Sequence, residues 1–115
     1  MVIKPNSMRR ENITKMRGGD GEVQISHLLE KEALLGKARL FAKLTVKPRS
    51  SIGLHKHENE FEVFYVLSGE GIFNDNGNRI HVQAGDVCLT NSGENHSIEN
   101  PSEQNLELLA IIFLL

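Results

Sequence analysis

The chain has 115 residues and a mass of 12.9 kDa, a size that fits one domain. A separate cofactor domain, a repeat array or a (β/α) barrel needs more residues, so those architectures are excluded. Hydrophobic residues make up 39% and charged residues 24% of the chain, which is typical of a globular protein and excludes disordered and fibrous classes. The net charge of −2 offers no overall attraction for nucleic acid.

A single cysteine and the apolar segments bear on the location of the protein. Cys88 has no partner for an intramolecular disulfide, which favours a reducing compartment, and its apolar neighbours predict a small core residue. The N-terminus lacks the apolar stretch of a secretory signal. The longest apolar run, Leu106 to Leu115, is about half as long as a bilayer span. We therefore expect a soluble, cytoplasmic protein without membrane contact.

The N-terminal region is predicted to be an arm, residues 1–22, that leads into a single domain over residues 23–115. The arm is polar, partly basic and without sustained periodicity, and it ends in a glycine-rich turn. After it, Ser26 is a suitable N-cap for an amphipathic segment from His27 to Leu35, and Gly36 is placed to end that segment. We expect this segment to form the only helix.

From residue 37 onward the apolar residues alternate as they do in strands. Leu40, Ala42, Leu44 and Val46 share one face, which is the period of two expected of a half-buried strand. Asn76-Gly77 is the clearest two-residue hairpin turn. Short strands without intervening helices predict an all-β antiparallel sandwich or small barrel. The remaining predicted strands are Ile52–His57, Glu62–Leu67, Gly71–Asn74, Arg79–Gln83, Val87–Thr90, Ser97–Glu99 and Leu106–Leu115.

Three histidines stand at positions that suit a metal site. His55 and His57 are two residues apart, and in a strand this spacing directs both side chains to the same face. His96 follows beyond a predicted hairpin that could return it beside the first pair. Three imidazoles and one carboxylate suit Mn²⁺, Fe²⁺, Ni²⁺, Co²⁺ or Zn²⁺.

Several glutamates follow the histidine pair, and Glu62 can join the site only under one condition. In an unbroken strand Glu62 would point away from His57, because it stands five positions, an odd number, after His57. The polar sequence Glu58-Asn59-Glu60 allows a break, after which a new strand begins near Glu62. The sequence therefore predicts a chain break between the second histidine and the carboxylate ligand.

At these residues the chain resembles the cupin family. The first cupin motif, G-x5-H-x-H-x3,4-E-x6-G, is matched at His55, His57, Glu62 and Gly69. The second motif, G-x5-P-x-G-x2-H-x3-N, is matched at Gly85, Gly93, His96 and Asn100. Arg49 replaces the opening glycine and Asn91 replaces the proline. Both departures fall in turns, so neither removes a ligand.

The resemblance to cupins implies a fold and a cofactor. The fold is an all-β double-stranded β-helix, a jelly-roll barrel, here with one short N-terminal helix. The cofactor is one divalent transition metal ion per chain, held by His55, His57, Glu62 and His96, with two positions left for water, substrate or dioxygen. The chain is most similar to small single-domain bacterial metal-binding cupins of the cupin 2 type. A barrel of this size has room for one small ligand.

The other polar candidates are expected to have lesser roles. His27, at the start of the predicted helix, is interpreted as solvated, and His81 as facing outward from its strand. Tyr65, Glu60 and Glu94 are weak catalytic candidates, because a catalyst needs a protonatable group near the open metal positions.

The C-terminal apolar run, Leu108 to Leu115, is apolar on both strand faces. A barrel strand buries only one face, so the other needs cover from the arm, the helix or another subunit. We expect a homodimer, and cupin barrels commonly pair through their sheets.

Two functions remain open for such a protein. One is a small metalloenzyme that acts on a carboxylate, hydroxy-acid or sugar-like substrate, of dioxygenase, isomerase, lyase or decarboxylase type. The other is a non-catalytic protein that binds or senses oxalate or a sugar-like molecule. Oxalate decarboxylases place an arginine three residues before the first metal histidine, and Ile52 stands there in this chain. Their full catalytic apparatus is therefore not carried over.

Overall fold

A computed structural model describes residues 1–115 as two antiparallel sheets. The strands are β1 (Arg10–Thr14), β2 (Glu22–Leu29), β3 (Ala38–Val46), β4 (Ser51–Lys56), β5 (Glu60–Ser68), β6 (Glu70–Asp75), β7 (Asn78–Gln83), β8 (Val87–Thr90), β9 (Asn95–Glu99) and β10 (Leu106–Leu114). Three short 3₁₀ helices span Pro5–Ser7, Met16–Gly18 and Lys31–Leu34. The six-stranded sheet has the order β1-β2-β3-β10-β5-β8, and the four-stranded sheet β4-β9-β6-β7. No helix is long and apolar enough to cross a membrane.

The core lies between the two sheets, because alternate residues of each strand point inward. Ala42 and Leu44 of β3 are buried, as their alternation predicts, and they meet Ile52 and Ile98 of the smaller sheet in one hydrophobic cluster. Cys88 belongs to the same cluster, which confirms it as a core residue. Burial raises the pKa of its thiol to about 11. The predicted all-β fold is confirmed, although the sheets face each other without closing into a barrel.

The predicted helix over residues 27–35 is wrong. Residues Glu22–Leu29 form β2, which pairs with β3 on one side and with β1 on the other. Only the 3₁₀ helix Lys31–Leu34 follows it. Val23 and Ile25 are buried at alternate positions of β2, so pairing within the sheet outweighs the helical spacing of the leucines further on. Within the expected arm, Arg10–Thr14 pairs with β2 as strand β1.

The backbone conformation of the turns accounts for the predicted chain break and for the two residues that differ from the cupin motifs. The chain breaks after β4 as expected, and Asn59 has a left-handed φ of 59° before β5 begins. Arg49 also has a left-handed backbone conformation, with φ 57°. The cupin motif has a glycine at this position, and glycine adopts that conformation without strain. Asn91 keeps a backbone N–H that proline lacks, and this N–H donates to Oε1 of Glu94 at 2.7 Å.

Asn100, the last residue of the second motif, joins the end of β9 to the larger sheet. Its side chain is buried, and its Nδ2 donates to the carbonyl oxygens of Val46 at 2.9 Å and Gln104 at 2.7 Å. Its Oδ1 accepts a hydrogen bond from the Ser102 backbone at 3.0 Å. One side chain therefore satisfies several buried backbone groups.

We expect Asn100→Ala to lower the free energy of unfolding by about 3 kcal/mol, because it removes the five hydrogen bonds of this side chain and leaves backbone groups unpaired. Urea unfolding followed by circular dichroism measures this loss. Asn105→Ala, in the same loop but with an exposed side chain, is the control and should change stability by less than about 0.5 kcal/mol. Equal losses in the two variants would contradict the role of Asn100.

Candidate metal centre

Three strands bring the predicted ligands together between the sheets. His55 lies on β4, directly opposite His96 on the paired strand β9. His57 follows β4, and Glu62 lies on β5 in the facing sheet, beyond the chain break. His57, Glu62 and His96 are buried, and His55 is partly buried. The break that directs Glu62 inward is the one that the sequence predicts.

The four ligand atoms converge on one point. Nε2 of His96 lies 3.0 Å from Nε2 of His55 and 3.1 Å from Nε2 of His57. Oε1 of Glu62 lies 3.0 Å from Nε2 of His57 and 3.2 Å from Nε2 of His96. Two ligands at right angles, each about 2.1 Å from an ion, stand about 3.0 Å apart, so these separations fit neighbouring positions around one metal. All four atoms lie within 4.8 Å of one another.

Each imidazole also makes a hydrogen bond through Nδ1, the ring nitrogen that faces away from the centre of the cluster. Nδ1 of His55 donates to the carbonyl oxygen of Gly53 at 2.7 Å, and Nδ1 of His57 donates to Oε2 of Glu60 at 2.6 Å. Nδ1 of His96 shares a hydrogen bond with the Thr90 hydroxyl at 2.6 Å. These partners direct the Nε2 lone pairs toward the centre, as is usual for metal-binding histidines.

The electrostatics of the cluster favour a cation. Burial, and then the neighbouring positive charges, lower the pKa of His55 to about 4, so it is a neutral ligand at neutral pH. The hydrogen bond with Glu62, aided by Glu60, raises the pKa of His57 above its usual range despite burial. Burial acts to raise the pKa of Glu62, but the hydrogen bonds with His57 and His96 outweigh it, and the net pKa is lowered. A metal that binds at Nε2 of His57 therefore competes with a proton that Glu62 and Glu60 stabilise.

Glu60 links the cluster to the protein surface. Arg39 donates two hydrogen bonds of 2.7 Å to the Glu60 carboxylate, and His57 donates a third. The Arg39 guanidinium, together with His57, lowers the pKa of Glu60 to about 2. Glu60 therefore stays ionised at neutral pH and holds the His57 ring, but its side chain does not line the cavity described next.

A cavity of about 260 Å³ opens beside the cluster. Half of its fourteen lining residues are hydrophobic, including Ile52, Leu44 and Phe64, and the polar ones include Arg17 and Arg39. A larger hollow of about 370 Å³ elsewhere on the surface is more open and holds no histidine. We place the candidate ligand site in the smaller cavity, because only this one is lined by candidate metal ligands.

The prediction that His27 is solvated is wrong. Its side chain is only 10% exposed, lines the cavity, and donates from Nε2 to Oε2 of Glu11 at 2.6 Å. This hydrogen bond lowers the pKa of Glu11. The signal for this position was available in the sequence, because His27 has the same strand parity as the buried residues Val23 and Ile25.

The remaining predicted residues lie away from the cavity. Tyr65 is on the outer face of the larger sheet, opposite Val87, and is 41% exposed. Glu94 accepts a hydrogen bond from the backbone of the turn that precedes β9. His81 is exposed on β7 beside Glu70, which confirms its outward position. The structure thus offers neither Tyr65 nor Glu94 as a group facing the metal cluster.

Two facing antiparallel sheets with a His₃Glu cluster between them define a jelly-roll protein of the cupin type. The sequence profile of the cupin domain matches residues 42–112, and the chain belongs to the cupin family. A Thermotoga maritima protein named oxalate-binding protein is 56% identical over 115 residues, 100% of this chain and 95% of that protein. The crystal structure of a predicted oxalate decarboxylase from the same species has 56% identity, covers 100% of both chains and gives a TM-score of 0.95.

A more distant structure shows the fold alone. The polyketide cyclase RemF from Streptomyces resistomycificus has 22% identity to this chain and gives a TM-score of 0.80. The match covers 98% of this chain and 78% of that one. The sheet architecture is therefore shared well beyond the similarity in sequence.

We expect Glu60→Gln to weaken Mn²⁺ binding by about 10-fold to 100-fold, because the neutral amide holds His57 less firmly and lowers its basicity. Competition with a fluorescent chelator measures the dissociation constant. Glu58→Gln removes an exposed carboxylate that pairs with Lys56, and it should leave the constant unchanged. If both variants bind Mn²⁺ as tightly as the wild type, Glu60 has no part in the site.

Proposed function

We propose that this protein binds a small carboxylate, with oxalate as the first candidate, on one divalent transition metal ion. The ligands are His55, His57, Glu62 and His96, and the ion is Mn, Fe, Ni, Co or Zn. The observation that carries the proposal is the convergence of these four atoms beside a cavity sized for a small molecule, which His55, His57 and Glu62 line. The name of the 56% identical relative, oxalate-binding protein, supports the choice of ligand.

The residues around the cluster suit this role. When bound, the ion supplies a Lewis acid for carboxylate or hydroxy-acid oxygens. Ile52, Leu44 and Phe64 reduce the water around the ligand, which strengthens its interactions with nearby charges. Glu60 and Thr90 keep two of the imidazoles oriented while the ligand enters and leaves.

A second candidate function is catalysis, and one specific observation favours it. The Glu11–His27 pair lies in the cavity wall and could move a proton to or from a bound substrate. A decarboxylase, dioxygenase, isomerase or lyase acting on a carboxylate, hydroxy-acid or sugar-like substrate would use such a group. Tyr65, Glu60 and Glu94 are poorer choices, because their side chains do not line the cavity.

One experiment separates the candidates. We expect protein purified without a chelator or a histidine tag to hold one transition metal per chain by elemental analysis. His57→Ala should lose the metal, whereas His81→Ala, which removes an exposed histidine, should keep it. Metal-loaded protein is then incubated with ¹³C-oxalate and followed by NMR. Binding of unchanged oxalate supports a binding protein, and labelled products support an enzyme. Full metal content in His57→Ala contradicts the site.

We also propose that the protein is a homodimer that forms through the outer face of the larger sheet. Leu109, Ile111 and Phe113 of β10 are only partly buried there, and Val87 and Leu89 of β8 are 63% and 48% exposed. Lys43 of β3 and Glu107 of β10 lie beside these residues and pair with each other. The apolar remainder of the face is a surface that a second copy of the same face can cover. The cytoplasmic location expected from the single cysteine remains a prediction.

We expect Leu89→Lys to convert a two-chain species into a one-chain species, because it would bury an unpaired charge in the interface. Light scattering coupled to gel filtration measures the mass. Ile80→Lys changes a residue of similar exposure, 45%, on the smaller sheet and should remain dimeric. A wild-type protein of one-chain mass would refute the dimer.

A further inference from the structure

Arg17 is the cationic side chain of the cavity wall that has no acidic partner. Arg39 donates two hydrogen bonds to Glu60, and His27 donates one to Glu11. Arg17 lines the same cavity at its exposed edge, and no carboxylate lies within ion-pair distance of its guanidinium. Its five N–H donors are therefore available to an anion that enters from solvent.

The turn that carries Arg17 is packed tightly against the metal-binding strand β4. A Cβ atom on Gly53 would overlap the carbonyl oxygen of Arg17, and one on Gly19 would overlap the carbonyl oxygen of Ser51. Only glycine permits this approach of the two backbones. The carbonyl oxygen of Gly53 also accepts the hydrogen bond from Nδ1 of His55. One short stretch of β4 therefore positions both the Arg17 turn and a metal ligand.

Arg17 itself occupies a backbone conformation that disfavours a large side chain. Its φ of 54° and ψ of 31° lie in the left-handed region, which costs an L-residue about 1–2 kcal/mol. Glycine would adopt this conformation without strain. Lys15 in the same turn is also left-handed, with φ 52°, so this conformation alone does not distinguish Arg17. What distinguishes Arg17 is its place in the cavity wall without an ion-pair partner.

We propose that Arg17 binds the carboxylate oxygens that a metal-bound ligand leaves free, and thereby selects dianionic small acids over monoanionic ones. This inference rests on the proposed function, since it assigns ligand choice at the same site. A guanidinium matches a carboxylate with two parallel hydrogen bonds, and a partly enclosed, half-apolar cavity strengthens them. The metal holds any small chelating acid, while Arg17 distinguishes those that carry a second negative group.

The test uses the Mn²⁺-loaded full chain and isothermal titration calorimetry with oxalate and with glycolate, a monoanionic chelating acid of similar size. Arg17→Gln removes the charge, and Lys15→Gln removes a charge from the same turn at a residue that does not line the cavity. Arg17→Lys keeps the charge but loses the planar pair of donors. Manganese content and thermal unfolding are measured for every variant.

We expect Arg17→Gln to weaken oxalate binding by about 10-fold to 100-fold, glycolate binding much less, and manganese content not at all. Arg17→Lys should lie between Arg17→Gln and the wild type, and Lys15→Gln should match the wild type. Equal oxalate affinity in Arg17→Gln and the wild type overturns the inference but leaves the proposed function standing. Equal weakening by the Arg17→Gln and Lys15→Gln variants, or loss of manganese in Arg17→Gln, also overturns it. A wild type that holds manganese but binds neither acid overturns the proposed function, and the inference with it.

Discussion

Burying three imidazoles and a carboxylate between two apolar sheets is unfavourable unless every polar atom has a partner. The rest of the structure is arranged around that constraint. The pairing of β4 with β9 sets His55 opposite His96, and the break before β5 turns Glu62 toward both. No buried side-chain nitrogen or oxygen in the protein lacks a hydrogen-bond partner. The cluster is therefore preorganised for a cation, since its four ligand atoms already converge on one point.

The sequence predicts the smaller sheet and the ligands better than it predicts the N-terminal region. The convergence of the candidate ligands follows from spacing, because strand parity and one chain break decide where His57 and Glu62 point. The segment around His27 fits both a helix and a strand locally, and only pairing with β1 and β3 decides between them. The parity of His27 with Val23 and Ile25 indicates a buried side chain only once that pairing is known, whereas the helical spacing of the leucines places His27 in solvent.

Contacts between distant segments account for the other features that the sequence does not predict. Arg39 of β3 pairs with Glu60 of β5, although β10 lies between these two strands in the sheet. Nothing in the sequence spacing of the two residues indicates this contact. Arg17 comes from a turn within the expected arm and reaches the cavity only because Gly53 and Gly19 let two backbones approach. The two departures from the cupin motifs have local explanations instead. Arg49 takes the left-handed conformation of the missing glycine, and Asn91 uses the N–H that proline would lack.

The order of the strands in the larger sheet also affects how the chain folds during synthesis. β10 is the last strand in chain order, yet it lies at the centre of that sheet, hydrogen-bonded to β3 along one side and to β5 along the other. While a ribosome is still making the chain, β3 and β5 have no strand between them and expose edges that can pair with other chains. Contacts between such distant segments also slow folding. The nascent protein therefore depends on β10, which is made after β3 and β5, to join the two halves of the sheet and to complete the wall behind Glu62.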